Sequence, residues 1–405
     1  MTYGSALAQL TSMHIQRLLY GILGVVLLVG CGKFETAQQA GSPSLNLSAT
    51  SVTPPGPTIG SPPSTPSAPV IPAGPTDPIA QPLPVDANVP AYLTVMTYNI
   101  YAIPCQPDNL IAYVSDFFGV TQCPDNTWYS RRLPERLDVL LQKLNELKAS
   151  NSLPDVLLLQ EAFRGEFSQI DDHPLNRFLA LAPYSYQVSG PPSVATNGLV
   201  SVLFSTFWEQ KGVVDSGLII LSRYPIVAAT TIEYGDACAG EICMSNKGAL
   251  HARIRIATGK DIDIFNTHHQ SFDEYEEIRK RQNRIFLSLV AKEFRTKWAI
   301  MAGDFNFLAA QPYGSYFDFM ALSQSQHSGQ ACLMSATCTW PATARAAVAG
   351  ETYDHQFVLA RTGSSINPYF VTFGNWSFEG RPLSDHDFMV VGYELRSGAE
   401  FGIPY

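Results

Sequence analysis

The chain has few charged residues, and it lacks several motifs by which enzymes are often identified. Of its 405 residues only 15% are charged and 46% are hydrophobic, so it can bury a sizeable core. No G-x-S-x-G string is present, which argues against a serine-hydrolase elbow. A P-loop and a dinucleotide fingerprint are absent too, which argues against the common nucleotide-binding loops. None of the seven cysteines forms a C-x-x-C pair, so a structural zinc site is not indicated.

Basic residues are also scarce, which bears on possible partners. The chain has 26 Lys and Arg against 35 Asp and Glu, a net charge of −9, of which −8 falls in residues 91–405. Such a negative surface repels polyphosphates, so we expect no nucleic-acid partner. A zwitterionic or small substrate is more compatible with this charge.

The N-terminus has the features of a targeting segment. Its apolar run Ile22–Gly30 has nine residues, whereas a membrane-spanning helix needs about twenty. The run follows Arg17 and leads into Leu28-Val29-Gly30-Cys31, which resembles a bacterial lipobox. We therefore predict that residues 1–31 are a lipoprotein signal peptide and that Cys31 is lipidated; a short anchor or a buried strand is the alternative. Translation could start at Met1 or at Met13.

The next segment is predicted to be a disordered Pro/Ser-rich tether over residues 32–90. Residues 41–90 hold fourteen of the 29 prolines and no Lys or Arg, a composition that cannot form a packed core. The tether would hold a catalytic domain, residues 91–405, away from a lipid surface. We expect a bacterial cell-envelope location, lipid-anchored to the membrane, with the outer membrane and the cell surface as options.

Six further cysteines allow fifteen pairings. Because an exported chain favours disulfides, we predict pairing between sequence neighbours, with free thiols as the alternative. The predicted pairs are Cys105–Cys123, Cys238–Cys243 and Cys332–Cys338.

Apolar periodicity from Ala91 onward predicts alternating strands and helices. Strands are predicted at Tyr92–Asn99, Asp155–Glu161, 250–256, Asp261–His268, Trp298–Asp304 and Asp387–Leu395, and helices at 133–147 and 275–290. This pattern predicts one α/β domain with sheets covered by helices. Polar groups recur at or just past the strand ends, where a scaffold presents side chains to a cleft. They are Asn99, Glu161, His268, Asp304 and Asn306.

Five short strings occur in an order that resembles the endonuclease/exonuclease/phosphatase superfamily. They are TYN (97–99), LQE (159–161), NTHHQ (266–270), GDFN (303–306) and SDH (384–386). The resemblance implies a four-layered sandwich, in which two mixed β-sheets are flanked by helices. Further strings are similar to neutral and bacterial sphingomyelinases: QEAF (160–163), SGLIILSRYPI (216–226), SNKGALHA (245–252) and the HxQ of 268–270. The chain departs from that branch at His269 and His355, where less polar residues are common.

The resemblance implies a phosphodiester hydrolase that uses Mg²⁺ or another hard divalent cation such as Mn²⁺, whose natural ligands are oxygen atoms. Glu161 is the main expected metal ligand, and Asn99 is expected beside it as a ligand or a phosphate contact. Asp385 is expected at the metal or just behind it. A turn-forming role for Asn99 and an exposed strand end for Glu161 are the structural alternatives.

His386 is the expected general base, which would take a proton from the attacking water. The resemblance implies that Asp354, rather than Asp385, holds its other ring nitrogen. Asp304 would orient the nucleophile or a metal, and Asn306, two residues on, would on an extended segment face the same side and donate to a phosphoryl oxygen. A turn at GDFN, where Gly, Asp and Asn are common, is the alternative.

Two consecutive histidines, His268 and His269, stand at the end of the strand predicted at Asp261–His268, and they are expected to point to opposite faces. His268 would contact the phosphate or act as general acid, so His269 would point away from the cleft. The resemblance also places Lys247 near the site, although an exposed lysine is equally expected.

We expect an exported, single catalytic domain that acts as a monomer on sphingomyelin or a related phospholipid at a membrane surface and yields ceramide and phosphocholine. The alternative is an exported nuclease or phosphomonoesterase of the same superfamily, because fold and metal site do not choose a substrate. A non-catalytic binding domain is a third class, which the intact set of polar residues argues against.

Overall fold

The computed structural model describes most of the predicted catalytic domain. The predicted signal peptide with Cys31, the predicted tether and the pair Cys105 and Cys123 lie outside the described residues. The described ranges are 91–102, 128–163, 173–193, 212, 214–240, 243, 245–257, 259–309 and 314–397.

Strands and helices alternate along the described chain. The strands are β1 Ala91–Asn99, β2 Val156–Gln160, β3 Tyr186–Ser189, β4 Ile219–Ser222, β5 Ile226–Glu233, β6 Gly248–Ala257, β7 Lys260–His268, β8 Trp298–Asp304, β9 Gln326–His327, β10 Asp354–Ala360, β11 Ser364–Gly374, β12 Ser377–Phe378, β13 Arg381–Pro382 and β14 Phe388–Ser397. The helices are α1 Trp128–Arg131, α2 Leu133–Ala149, α3 Pro174–Leu181, α4 Glu276–Glu293, α5 Ser315–Ser323, α6 Ser328–Met334 and α7 Arg345–Ala349. Single 3₁₀ turns lie at Asp273–Tyr275 and Ala342–Ala344.

These strands form two six-stranded mixed sheets and one small hairpin. The first sheet has the order β11-β14-β1-β2-β4-β3, the second has the order β5-β6-β7-β8-β10-β9, and β12 pairs with β13. Within the two large sheets, β1 is parallel to β2 and β7 is parallel to β8, whereas the other ladders are antiparallel. The predicted sandwich of two mixed sheets flanked by helices is therefore confirmed.

The two parallel pairs determine where strand ends meet. Parallel neighbours need a crossover connection, and α2 lies between β1 and β2 in the chain, as α4 lies between β7 and β8. In a parallel pair the carboxyl ends of both strands reach the same edge of the sheet. The polar residues at the ends of β1 and β2 are therefore neighbours, and so are those at the ends of β7 and β8.

Alternation along each strand divides the apolar side chains into three layers of core. Val95 and Leu158 point between the two sheets, whereas Met96 and Leu157 point to the outer side of the first sheet, as the pleat of a strand requires. The leucines of α2 pack on that outer side, and α4 covers the second sheet through Phe286. The order of layers is helix, sheet, sheet, helix.

Both predicted helices are present, and they run slightly longer than the periodic pattern. Residue Tyr275 lies in the 3₁₀ turn that precedes α4 rather than in the helix. Two of the predicted disulfides, Cys238–Cys243 and Cys332–Cys338, are confirmed. None of the helices in the described ranges is long and apolar enough to cross a membrane.

Candidate active site

Four polar side chains from both sheets converge at one edge of the sandwich. Asn99 ends β1 and Glu161 follows β2, while His268 ends β7 and Asp304 ends β8. All four are at most 9% exposed. The parallel pairing of the strands explains why residues so distant in sequence meet.

The backbone at Glu161 turns sharply to present its carboxylate. Its φ angle is 53°, an uncommon left-handed conformation for a residue with a side chain. The following residue, Ala162, donates its amide to the carbonyl of Gly217 at 2.9 Å. Gly217 itself has a φ of +65°, and an added Cβ there would lie 2.9 Å from the Phe163 ring and 3.1 Å from the Glu161 Cα. A glycine is therefore required beside this turn.

Asp304 lies at the centre of the cluster. Its Oδ2 accepts a hydrogen bond from Asn99 Nδ2 at 3.1 Å and lies 3.5 Å from His268 Nε2 and 3.7 Å from His386 Nε2. Glu161 Oε1 also accepts from Asn99 Nδ2, at 3.0 Å, and lies 3.7 Å from His268 Nε2. Every sequence-predicted group named here thus lies within one small volume.

The donor set fits a hard divalent cation. Ligand atoms of Glu161, His268 and Asp304 all lie within 4.8 Å of one another. Glu161 Oε2 is buried and has no hydrogen-bond partner among the described residues, so one carboxylate oxygen is available to a ligand. Burial, together with the charges of Asp385 and Asp304, raises the pKa of Glu161 to about 7. A bound cation would relieve this repulsion and favour the ionised carboxylate.

Asn99 does not turn its amide oxygen towards the carboxylates. Its Nδ2 donates to both of them, and its Oδ1 accepts the backbone amide of Tyr101 at 3.1 Å. To ligate a metal, as the sequence predicts, the amide would have to rotate and present its oxygen. The structure therefore places Asn99 in the site, and its role as a ligand stays a prediction.

His386 is held by Asp354, as the resemblance implied. His386 Nδ1 lies 2.7 Å from Asp354 Oδ2, which is the distance of a charge-assisted hydrogen bond. Burial would lower the pKa of His386, but the carboxylates of Asp354, Asp304 and Asp385 outweigh it and raise that pKa to about 11. Burial raises the pKa of Asp354 to about 6, against the effect of His386. Asp354 thus favours the protonated form of His386, and a cation bound beside Asp304 and Asp385 would oppose that effect.

Asp385 lies at the rim rather than within the cluster. Its side chain is exposed and accepts from Ser384 Oγ at 3.3 Å. It acts on the site through its charge, because it raises the pKa values of Glu161 and His386. Direct ligation by Asp385 stays a prediction.

The backbone carbonyl of His269 is a shared acceptor beside the cluster. Lys247 Nζ donates to it at 2.9 Å, and Asn306 Nδ2 donates to it at 3.2 Å. Lys247 is 5% exposed, so it is not the exposed lysine of the alternative interpretation. Burial lowers the pKa of Lys247 to about 8, although Glu161 and Asp304 oppose that effect.

Asn306 reaches the site by a different backbone path from the one that we expected. The strand ends at Asp304, and Asn306 adopts φ = 51°, so residues 304–306 are not an extended segment. The backbone amide of Asn306 instead donates to Asp304 Oδ1 at 3.0 Å. The expectation of an extended pair is wrong, and the turn brings the Asn306 side chain to the His269 carbonyl.

His268 and His269 diverge as the strand geometry predicted. His268 faces the carboxylates, whereas His269 Nε2 lies 3.1 Å from Tyr234 Oη within an aromatic cluster. His355 also points away from the site, because its Nε2 bonds the carbonyl of Phe307.

Sequence reasoning missed Arg136, which ties two parts of the site together. Arg136 is 3% exposed, and its guanidinium donates to the carbonyls of Ile100 and Leu383, at 2.6 Å each. These residues flank Asn99 and the segment that carries His386. The available signal was a charged residue in the apolar stripe of α2, between Leu133 and Leu137.

Comparisons with known proteins identify the family of the chain. A model of the endonuclease/exonuclease/phosphatase family matches residues 96–386, and the chain belongs to this family. Members of the family are divalent-metal-dependent hydrolases that act on phosphodiester bonds. No curated protein matches the chain.

Several solved structures are similar to the chain. Sphingomyelinase C from Streptomyces griseocarneus is 20% identical, with a TM-score of 0.48 over 75% of this chain and 99% of that chain. A mutant beta toxin from Staphylococcus aureus with bound magnesium ions is 16% identical, with a TM-score of 0.46 over 76% and 100%. D. rerio TDP2 complexed with a single-strand DNA product is 14% identical, with a TM-score of 0.45 over 75% and 99%.

Proposed function

We propose that the chain is an exported, lipid-anchored phosphodiesterase that hydrolyses sphingomyelin to ceramide and phosphocholine. The observation that carries the proposal is that the sphingomyelinase-like strings all border the Glu161 cluster. Gly217 of SGLIILSRYPI accepts the Ala162 amide, and Lys247 of SNKGALHA bonds the His269 carbonyl. Gln270 of the HxQ string binds both backbone groups of Ala239.

The side chains divide the proposed chemistry between them. Glu161 and Asp304, with Asn99 and Asp385 nearby, would hold the divalent cation, which when bound polarises a phosphoryl oxygen. His386 would take the proton of the attacking water, and Asp354 would fix its orientation and stabilise the imidazolium. His268 and Asn306 would contact the phosphate. Buried groups held by hydrogen bonds need little reorganisation during the reaction.

A nuclease or a phosphomonoesterase is the second candidate, because the family's site itself does not define the substrate. The observation that disfavours a nuclease is charge. Residues 91–405 carry −8, which would repel a DNA backbone.

A parallel hydrolysis assay tests the proposal. Purified wild-type protein is given sphingomyelin, phosphatidylcholine, plasmid DNA and a generic phosphodiester, with Mg²⁺ and with excess chelator. We expect the highest kcat/KM on sphingomyelin, loss of turnover in chelator and restoration by Mg²⁺. Faster cleavage of DNA would support the second candidate, and full activity in chelator would refute metal dependence.

Two charge-removing variants serve as a matched pair in that assay. Glu161→Gln keeps the shape of the side chain but removes the buried charged ligand, so kcat should fall strongly and the metal requirement should weaken. Glu146→Gln removes a carboxylate that is 50% exposed and pairs with Lys143 on the surface, so activity should stay unchanged.

The lipid anchor is tested separately. Cys31→Ala should release or mislocalise the protein while the activity of the domain is kept, because Cys31 lies in the predicted signal region and not in the catalytic domain. Membrane fractionation and mass spectrometry of the mature N-terminus measure this. An N-terminus without lipid, or unchanged fractionation, would remove the anchor from the proposal.

A further inference from the structure

Two buried histidines outside the candidate active site form a continuous chain of hydrogen bonds. His327 is 2% exposed and His355 is fully buried. His327 Nδ1 accepts the backbone amide of Gln330 at 3.1 Å, and His327 Nε2 lies 3.0 Å from His355 Nδ1. His355 Nε2 lies 2.8 Å from the carbonyl oxygen of Phe307.

The two ends of this chain fix the direction of every bond in it. A backbone amide only donates, and a carbonyl oxygen only accepts. His327 Nδ1 therefore has no proton, and its Nε2–H donates to His355 Nδ1. The Nε2–H of His355 then donates to Phe307. Both rings must be neutral, and burial indeed lowers the pKa of both histidines.

We call this chain of hydrogen bonds through His327 and His355 the relay. The aromatic side chains around it make it costly to interrupt. The His355 ring stacks on Phe307 at 5.2 Å between centroids, and Phe357 and Tyr316 lie within 6.2 Å of it. In such an apolar cluster an unpaired polar group keeps its full desolvation penalty. The relay is therefore expected to persist in the folded protein.

The acceptor of the relay belongs to the loop that carries Asn306. Asn306 adopts a left-handed backbone with φ = 51°, which an asparagine tolerates but does not enforce. The Phe305 amide is held by the carbonyl of Tyr353 at 2.9 Å, and the Ala309 amide is held by that of Gly350 at 2.8 Å. His355 holds the carbonyl between these two points.

We propose that His327 and His355 are positioning residues, whose hydrogen-bond relay holds the backbone of residues 305–309 so that Asn306 and Asp304 keep their places in the candidate active site. The kinetic test of this inference rests on the proposed function, but the relay is measurable without any activity.

The first experiment measures the tautomers. In protein with ¹⁵N-labelled histidine at neutral pH, long-range ¹H–¹⁵N spectra should show both rings as neutral Nε2–H tautomers, assigned by loss of each signal in the corresponding variant. A proton on Nδ1 of either ring, in the neutral or the charged form, would overturn the relay.

The second experiment separates the hydrogen bonds of His355 from its ring. His355→Gln keeps one donor and one acceptor but removes the ring, whereas His355→Phe keeps the ring and removes both polar atoms. We expect His355→Phe to lower kcat by about tenfold to a hundredfold with little change in KM, as a misplaced catalytic group does. Amide exchange at Phe305 and Ala309 should quicken, and His355→Gln should restore part of both properties.

Leu289→Ala is the control for lost stability, because Leu289 packs in the same cluster and is 2% exposed. It should lower the Tm without slowing turnover below the transition or quickening exchange at Phe305. Unchanged exchange and kcat in folded His355→Phe would refute the positioning role. If that variant does not fold, the tautomers and His355→Gln decide. A wild type that cleaves no phosphodiester would refute the proposed function, while tautomers and amide exchange would still decide the relay.

Discussion

Removing either member of the His386–Asp354 pair should act on the chemical step. The pair is joined by a charge-assisted hydrogen bond of 2.7 Å. Such a bond is worth about 1.5–3 kcal/mol, and each 1.36 kcal/mol corresponds to tenfold. Asp354→Asn should therefore lower kcat by about 10- to 150-fold, because the imidazole remains but its imidazolium is less stable. His386→Ala removes the base itself and should lower kcat by about 10²–10⁴-fold.

The double variant decides whether the two residues work as one unit. If Asp354 acts only through His386, the double variant should be hardly slower than His386→Ala alone. KM should change little in all three variants, and the acidic limb of the pH–rate profile should vanish with His386. Steady-state kinetics on the preferred substrate, at several pH values, measure these quantities. Asp261→Asn, which removes a surface partner of Arg255, should leave kcat unchanged.

Fully additive losses would contradict the reasoning, because they would mean that Asp354 serves the metal or the fold. If His268→Ala abolished the acidic limb and His386→Ala did not, the roles of the two histidines would be reversed.

Three further predictions concern stability. Gly217→Ala should lower both Tm and activity, because the added Cβ would meet Phe163 and the Glu161 backbone. Gly363→Ala should lower only Tm, because Gly363 has a φ of +79° but open space around it. Thermal melts and activity assays compare the two variants. Burial would raise the pKa of Asp263, but hydrogen bonds from His251, Thr296 and Arg295 outweigh it and lower that pKa. The contribution of Asp263 to stability should be complete above the unfolded pKa of about 3.9 and be lost as the pH falls through the lower folded pKa. Urea titrations of wild type and Asp263→Asn should therefore converge in acid. Replacing Cys332 and Cys338 by serine should lower the free energy of unfolding by about 2 kcal/mol, because the disulfide closes a loop with a sequence separation of 6. An unchanged urea midpoint would show that the crosslink does not stabilise the fold.

The sequence predicts several buried strands well, but it misses others, among them two strands whose patterns are weak. β1, β7 and β8 begin and end within one residue of their predicted bounds, because their apolar runs are strong. β5 was missed because five of its eight residues are exposed, so its pattern is weak. β11 was missed because it contains Pro368, a residue that argues against a strand. The register opposite β14 shifts between Pro368 and Phe370.

The members of the site were predictable, but their detailed geometry was not. Strand ends and ordered strings predicted Glu161, His268 and Asp304 together. The left-handed turn at Asn306 depends on partners from other segments, such as the His269 carbonyl. The amide orientation of Asn99 depends on two carboxylates that lie 62 and 205 residues away in the chain. No local pattern contains such information, since it arises only when the two sheets pack.

The same structural device holds the loops at both parallel strand pairs. Arg136, from the helix that follows β1, donates to the carbonyl of Ile100 directly after that strand. Arg279, from the helix that follows β7, donates to the carbonyl of Gln270 shortly after His268. Each crossover helix thus binds the loop that leaves its own first strand. Because a helix packed on the sheet is rigid, a carbonyl bonded to its buried arginine is fixed relative to the strand ends. The precision of the site therefore depends on the crossovers as well as on the strands, and a lysine, which lacks the arginine fork, could not replace either residue without loss.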